Sequence, residues 1–309
     1  MEMFKKALLV IVFLSIFVWI YFKYSQPNKS PANTTKYKVA ASIFPIYDIV
    51  KNVAGSNIDV VLIAPIGASP HTYDPKPDDI KNIDGSSTVF TIGHNLDNYA
   101  SKIAKSLEIE IVTLDKYIKL KDSVQSHSHE EHAETDIEKE SVDPHYWLSL
   151  SNGILIAKQV SEQLSKNFPE FSEEFDKNFK EYEKKLLSLE KENQIKILPF
   201  KNTAIATFHD AWAYFAESYN LKIVTTFEEF PGQEPSPEYL KNFTYEIKEH
   251  NVKYIFSEPQ FSTKALNPIA NDLGLTISQL DPIGGNDEVE TFESLIQYNL
   301  NQIIKSINK

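Results

Sequence analysis

The sequence predicts an α/β protein of two lobes with mostly parallel sheets, joined by one long rigid helix. Three observations lead there. Short β-branched runs alternate with helical stretches from residue 37 onward, the alternation is broken once by a long amphipathic helix, and it then resumes with a similar make-up. Strand-helix-strand order argues for a parallel sheet covered by helices.

In the first half, Lys38 to Ser42 (KVAAS) reads as a strand and Tyr47 to Ala54 as a helix. Ile58 to Ile63 is a strand, Pro77 to Ile83 a short helix, and Thr88 to Ile92 a strand. Leu96 to Leu107 follows as a helix and Glu110 to Thr113 as a strand. After a polar interruption, a helix runs from about Ser151 to Asn167. Phe168 to Gln194 is the longest helical tract: Phe175, Phe179, Tyr182, Leu186 and Leu189 recur at three- and four-residue spacing between lysines and glutamates. Taken alone it reads equally as a surface helix of one domain; the likeness of the two halves makes it a strut.

The second half has strands at Thr203 to Thr207, Lys222 to Thr226, Val252 to Ser257 and Leu275 to Leu280. Its helices run from Ala211 to Tyr219, from Glu234-Pro235-Ser236-Pro237 to about His250, from Thr263 to Leu273 with Gly274 as stop signal, and from Thr291 to Ile307. The expected organisation is a membrane anchor or signal segment plus spacer (1–36), an N-terminal lobe (37–167), a linker helix (168–196) and a C-terminal lobe (197–309).

The bulk composition excludes several functions. A chain of 309 residues with 42% hydrophobic and 24% charged residues is ordinary for a globular protein. The formal net charge of −12 argues against nucleic acid as a partner, since no basic stripe can displace phosphate counterions. There is no cysteine, which removes disulfides, thiolate metal sites and cysteine catalysis. Any metal must be held by nitrogen and oxygen.

Lys5 and Lys6 precede an apolar run, Ala7 to Phe22, whose polar members are Ser15 and Tyr21. At ~1.5 Å per residue it spans roughly 24 Å, a little short of the ~30 Å hydrocarbon core. The lysines place the N-terminus in the cytoplasm and the remainder outside. An uncleaved anchor is the expectation; a cleaved signal peptide is the rival, with Ser30-Pro31-Ala32 a poor cleavage site. Gln26 to Thr35 reads as a flexible spacer. Asn28, Asn33 and Asn242 lie in N-x-S/T sequons, a motif frequent by chance.

His71 in GASPHTYDPKPDD, His145 in DPHYW, His209 in ATFHDAW and Asp281 in QLDPIGG are each expected where a predicted strand gives way to a loop. Strand ends of an open α/β sheet are where ligands bind. Three imidazoles and one carboxylate make a complete tetrahedral shell for Zn²⁺. Each lobe supplies two of the four, which puts the ion between the lobes. Four protein ligands with no open position mark a binding site rather than a catalytic one. Asp74, Asp143, Asp210 and Glu258 are near enough in sequence to orient the imidazoles.

Each residue has a plainer reading. A lone histidine is more often a satisfied polar group than a ligand, and Asp281 before Pro282 is a common turn starter. His94, beside Gly93, and His250, at a helix end, are left to that reading. Ser123 to Ser141 lacks apolar periodicity and carries His127, His129 and His132. It reads as a solvated loop, and its histidines form an auxiliary metal site with Glu130, Glu131 or Asp136 only as a weak, fast one.

GASPHTYDPKPDD, DPHYWLS, ATFHDAWAYFA, FSEPQFS and QLDPIGG resemble the signature segments of the solute-binding proteins of zinc and manganese ABC transporters. The similarity covers residues 37–309 in order, including an acidic histidine-rich loop before the second histidine. The resemblance implies two α/β lobes joined by one long helix and a buried ion between them. Further implied are a monomer outside the cytoplasmic membrane and delivery to an ABC permease driven by a cytoplasmic ATPase. It carries the ligand role onto His71, His145, His209 and Asp281. Manganese-type members usually place a glutamate at the third position; His209 and the histidine-rich loop favour Zn²⁺, with Mn²⁺ or Fe²⁺ as alternatives. The family's lipoprotein cysteine is missing here. Two other classes compete. A zinc hydrolase would need an open coordination position and a motif such as H-E-x-x-H or G-x-S-x-G, and neither motif occurs. A surface adhesin would bind its partner independently of metal, but no adhesive module is evident.

Overall fold

The computed structural model describes residues 37–123, 142–228, 230–284 and 287–308. Ala7 to Phe22 and His127, His129 and His132 lie outside the described residues. Among the described residues no helix is long and apolar enough to cross a membrane.

The first half begins with β1 (Lys38–Ala41), α1 (Phe44–Ala54), β2 (Asp59–Leu62) and α2 (Pro77–Ile83). It continues with β3 (Thr88–Thr91), α3 (Asn98–Ser106), β4 (Glu110–Thr113) and α4 (Leu150–Asn167). The strands form one parallel four-stranded sheet in the order β2-β1-β3-β4. The long helix α5 spans Ser172–Ile197. It starts later than its periodicity predicts, behind a 3₁₀ turn at Pro169–Phe171. The physical reason is Pro169, which disfavours helical geometry at Phe168, and Phe168 adopts φ −136°, ψ 67°.

The second half repeats the plan with β5 (Ala204–Thr207), α6 (Ala213–Tyr219), β6 (Lys222–Thr226) and α7 (Pro237–Glu249). Then come β7 (Tyr254–Ser257), α8 (Leu266–Asp272), β8 (Thr276–Gln279) and α9 (Phe292–Ile307). Its sheet, again all parallel, has the order β6-β5-β7-β8, the same topology as the first. The expected two lobes of parallel α/β structure linked by a long helix are what the chain forms.

Local chemistry accounts for the helix ends. Ser149 and Ser236 accept hydrogen bonds from Asn152 N and Tyr239 N at the starts of α4 and α7. Thr291 and Ser294 make a reciprocal cap on α9. Gly274, with φ 66°, adopts the left-handed geometry that stops α8 and turns the chain into β8.

Each sheet packs one face against its own small cluster. Val89, Ile83 and Ile103 lie in the first, and Phe208, Phe243 and Ile255 in the second. The other faces share one continuous core that runs through both lobes. It contains Ile49 from α1, Ile156 and Val160 from α4, Phe175, Tyr182 and Leu186 from α5, and Leu295 and Leu300 from α9. The predicted stripe on α5 is thus the face it buries. Removing a few hundred Å² of apolar side chain from water at ~25 cal/mol per Å² makes such a seam worth several kcal/mol. The strut is embedded in the core of both halves rather than laid on their surface.

Candidate metal centre

The site is assembled from chain segments that leave the sheets. His71 lies in the loop after β2, past a turn in which Thr72 N donates to Ser69 O at 3.3 Å. His145 lies in the turn before α4, where Leu148 N donates to His145 O at 3.1 Å. His209 and Glu258 follow β5 and β7, which are neighbours in the sheet. This is the point where strand order reverses, and it opens a crevice at the strand ends.

Three of the four predicted ligands converge. The rings of His71, His145 and His209 have centroids 5.2, 5.5 and 5.2 Å apart. Their ligand atoms all lie within 4.8 Å of one another. His71 Nε2 is 3.1 Å and His209 Nε2 3.4 Å from His145 Nε2. Tetrahedral ligands at ~2.05 Å from an ion are spaced about 3.3 Å apart. His145 and His209 are buried, while His71 keeps exposed surface at the outer side.

Carboxylates fix the imidazoles from behind. Asp143 Oδ1 lies 2.8 Å from His145 Nδ1 and also accepts from His145 N. Glu258 Oε1 lies 2.8 Å from His209 Nδ1 and accepts from Trp212 Nε1 at 3.1 Å. A carboxylate accepts, so each Nδ1 carries the proton and each Nε2 turns a lone pair inward. Two such lone pairs at 3.4 Å repel unless a proton or a cation lies between them. Asp143 therefore holds the position that its place two residues before His145 suggested, and Glu258 reaches His209 through the pairing of β5 with β7. Asp210 accepts from Ser123 Oγ instead, and Asp74 is exposed.

The electrostatics differ among the three histidines. Partial burial, with the neighbouring imidazoles His145 and His209, pushes His71 down to about 2. Burial and His209 push His145 down to about 3. For His209 burial also disfavours the proton, but Glu258 and Asp210 outweigh it and raise the pKa. Asp143 is pushed up to about 6, chiefly by burial.

Asp281 is fully buried but does not join the histidine cluster. Its Oδ1 accepts from Ile283 N at 3.2 Å, Gly284 N at 2.9 Å and Gln260 Nε2 at 3.1 Å. The turn-forming role is therefore realised, and Gln260 connects it to the cavity. That cavity is lined by the three histidines together with Trp147, Gln260 and Phe261, among others. It leaves about 10 Å³, the space of one ion or one water.

Several residues here had no local signal in sequence. Trp147 packs on His145 with centroids 5.2 Å apart and donates from Nε1 to Pro282 O at 2.8 Å, tying the two lobes together. Phe261 meets His209 edge-on at 5.6 Å and stacks on Phe208. His94 pairs with Asp115 at 2.9 Å and His250 with Glu246 at 3.4 Å, so both lie outside the cluster as expected.

The family model described as "Zinc-uptake complex component A periplasmic" matches residues 39–306. The manganese ABC transporter substrate-binding lipoprotein PsaA of Streptococcus mitis is 31% identical over 313 residues, 99% of each chain. The zinc-binding protein AdcA of Streptococcus pyogenes serotype M1 is 29% identical over 300 residues, 93% of this chain; the chain spans only 57% of AdcA's length. Among solved structures, the FpvC solute-binding protein of Pseudomonas aeruginosa with Mn²⁺ superposes with TM-score 0.77 at 26% identity, covering 88% of this chain and 98% of that one. A crystal structure of ZnuA gives TM-score 0.75 at 26% identity, covering 87% and 98%. The chain belongs to the zinc-uptake complex component A family, the metal-binding substrate-binding components of ABC importers.

Proposed function

We propose that this protein captures a divalent transition-metal ion outside the cytoplasm and passes it to an ABC permease powered by a cytoplasmic ATPase. The observation that carries the reading is the pair of Nε2–Nε2 separations, 3.1 and 3.4 Å, among three imidazoles, two of which, His145 and His209, have their Nδ1 atoms on buried carboxylates. His71, His145 and His209 supply nitrogen, and Asp281 supplies the carboxylate. Three imidazoles suit Zn²⁺, the ion we assign as cargo, ahead of Mn²⁺ or Fe²⁺. A single carboxylate lowers the net charge of the loaded site from +2 to about +1, which eases its burial.

The continuous core through α1, α4, α5 and α9 resists a wide hinge. Loading therefore needs only a small adjustment around the exposed edge of His71. Release requires docking on the permease, which pulls one pair of ligands away from the other. The hydrophobic run Ala7 to Phe22 is the membrane tether in this scheme.

Elemental analysis of the full chain purified without chelator, followed by Zn²⁺ and Mn²⁺ competition at neutral pH, tests the reading. One tightly held zinc per chain, lost in His209→Ala while the circular dichroism spectrum is kept, is the expected result. Unchanged affinity in His209→Ala would remove the assignment.

A further inference from the structure

Gln260 is the one cavity-lining amide, and its two ends face different chemistry. Nε2 donates to Asp281 Oδ1 at 3.1 Å. A carboxylate cannot donate, so this fixes which end of the amide meets Asp281. The other end, Oε1, is sealed from solvent and has no hydrogen-bond partner. A buried carbonyl left without a partner costs about 1–3 kcal/mol. Such a group calls for an unseen partner, and the adjoining cavity has room for one particle.

A water does not fit the surrounding chemistry. It offers two hydrogens, whereas the inward Nε2 atom of His145, that of His209 in its neutral form, and the Gln260 oxygen are three acceptors. A cation satisfies all of them at once. We propose that the Gln260 carbonyl oxygen is a further oxygen donor to the captured ion, making the shell larger than the three imidazoles and one carboxylate. The inference rests on the histidine-triad reading given above.

The consequence is selectivity. An amide oxygen is a neutral, hard donor of the kind that suits Mn²⁺, whereas zinc sites are satisfied by four ligands. Gln260 thus moves a site built mainly of imidazole toward accepting Mn²⁺ and Fe²⁺ without adding charge. It does so from a loop anchored at Glu258, whose carbonyl accepts from Phe261 N at 3.3 Å.

Two substitutions in the full chain separate ligation from mere orientation of Asp281. Gln260→Leu removes both polar ends; Gln260→Glu keeps an oxygen but loses the donor to Asp281. The readouts are the visible absorption of the Co²⁺-loaded protein and the ratio of Zn²⁺ to Mn²⁺ affinity by competition. We expect Gln260→Leu to strengthen the Co²⁺ bands, as a shell shrinks toward four ligands, and to weaken Mn²⁺ at least about tenfold more than Zn²⁺. Gln260→Glu should hold Mn²⁺ at least as well as the parent. Equal losses in both variants, or a Leu variant with unmoved spectrum and ratio, would overturn the inference. Failure of the parent protein to bind Co²⁺ at all would instead overturn the triad reading beneath it.

Discussion

Glu258 and His209 stand at the ends of two adjacent parallel strands and meet at 2.8 Å between Oε1 and Nδ1. The distance follows from sheet topology: β5 and β7 are neighbours, so residues just beyond them are delivered side by side. The bond decides which ring nitrogen is free for an ion. In Glu258→Gln the amide can donate to Nδ1, which drives the proton to Nε2 and blocks coordination. Outer-shell changes of this type cost about 10–100-fold in affinity. Calorimetric titration of Zn²⁺ should show a loss in that range with little change in Tm, and an affinity within twofold of the parent would show that Glu258 does not set the tautomer.

The proton that competes with the ion is carried by His209. Its pKa is raised, while His71 and His145 lie at about 2 and about 3 and are neutral throughout the useful range. For a raised imidazole the metal-free fold is favoured below the ordinary value of about 6.5, and that gain is lost as pH climbs through the raised value. The two lowered histidines have the opposite sign and favour the fold above about 6.5. Zn²⁺ affinity should therefore fall with acidification through the His209 pKa. Loading should release protons, more of them as pH falls, read from calorimetry in buffers of different ionisation enthalpy. Zero release would mean that His209 is already neutral before the ion arrives.

Trp147 gives the site an optical reporter and a mechanical tie. Of the three tryptophans in the chain, Trp147 and Trp212 both donate their indole N–H groups beside the site, to Pro282 O and Glu258 Oε1. Zn²⁺ binding should change tryptophan emission. Trp147→Phe keeps much of the packing but strands the Pro282 carbonyl, a loss of about 1–3 kcal/mol. Stopped-flow chelator chase should show faster ion release from Trp147→Phe than from the parent. Equal release rates would reduce Trp147 to a packing residue.

Part of this site was legible because strand ends are readable from β-branched runs, and His209 follows β5 directly, whereas His71 lies well into the loop after β2 and His145 in the turn before α4. The strand-end expectation holds for His209 and fails for His145, while both four-stranded sheets follow from the same alternation. The roles of Asp143 and Glu258 were only suggested, because Glu258 is 49 residues from His209 and only the pairing of β5 with β7 joins them. Trp147 reaches Pro282 across 135 residues, and no local pattern encodes such a contact. Asp281 illustrates a different limit. In sequence, ligand and turn-former look alike, and in the fold its Oδ1 serves Ile283 N, Gly284 N and Gln260 together.

Gly153 marks a close approach that sequence alone does not reveal. It lies within α4, where glycine is otherwise unfavourable by about 1 kcal/mol relative to alanine. A Cβ at this position would stand 2.5 Å from Phe292 Cε1, at the first turn of α9. Gly153→Ala should therefore destabilise the fold by about 1–3 kcal/mol despite its better helix propensity. Urea unfolding with an unchanged m-value would measure it, and a gain in stability would show that Phe292 can move aside.

Asp48 offers a pH test remote from the metal centre. Its Oδ2 accepts from Phe292 N at 2.8 Å, joining α1 to the start of α9. Burial, with Glu293 nearby, pushes its carboxyl up from 3.8 to about 6, against the lowering effects of the Phe292 bond, Lys51 and Lys185. A raised carboxyl pKa favours the protonated form in the fold. The cost of ionisation is thus absent below pH 3.8, grows up to about pH 6, and is complete above it. Asp48→Asn keeps an acceptor for Phe292 N and removes the charge. At about 1.4 kcal/mol per pKa unit the gain is about 1–3 kcal/mol, or roughly 3–8 °C in Tm, at pH 7.5. Near pH 4 the two proteins should melt within about 2 °C of each other. A lower Tm for Asp48→Asn at pH 7.5 would mean that the charge itself is needed at the N-terminus of α9, and that its attraction to the helix end exceeds the cost of burying it.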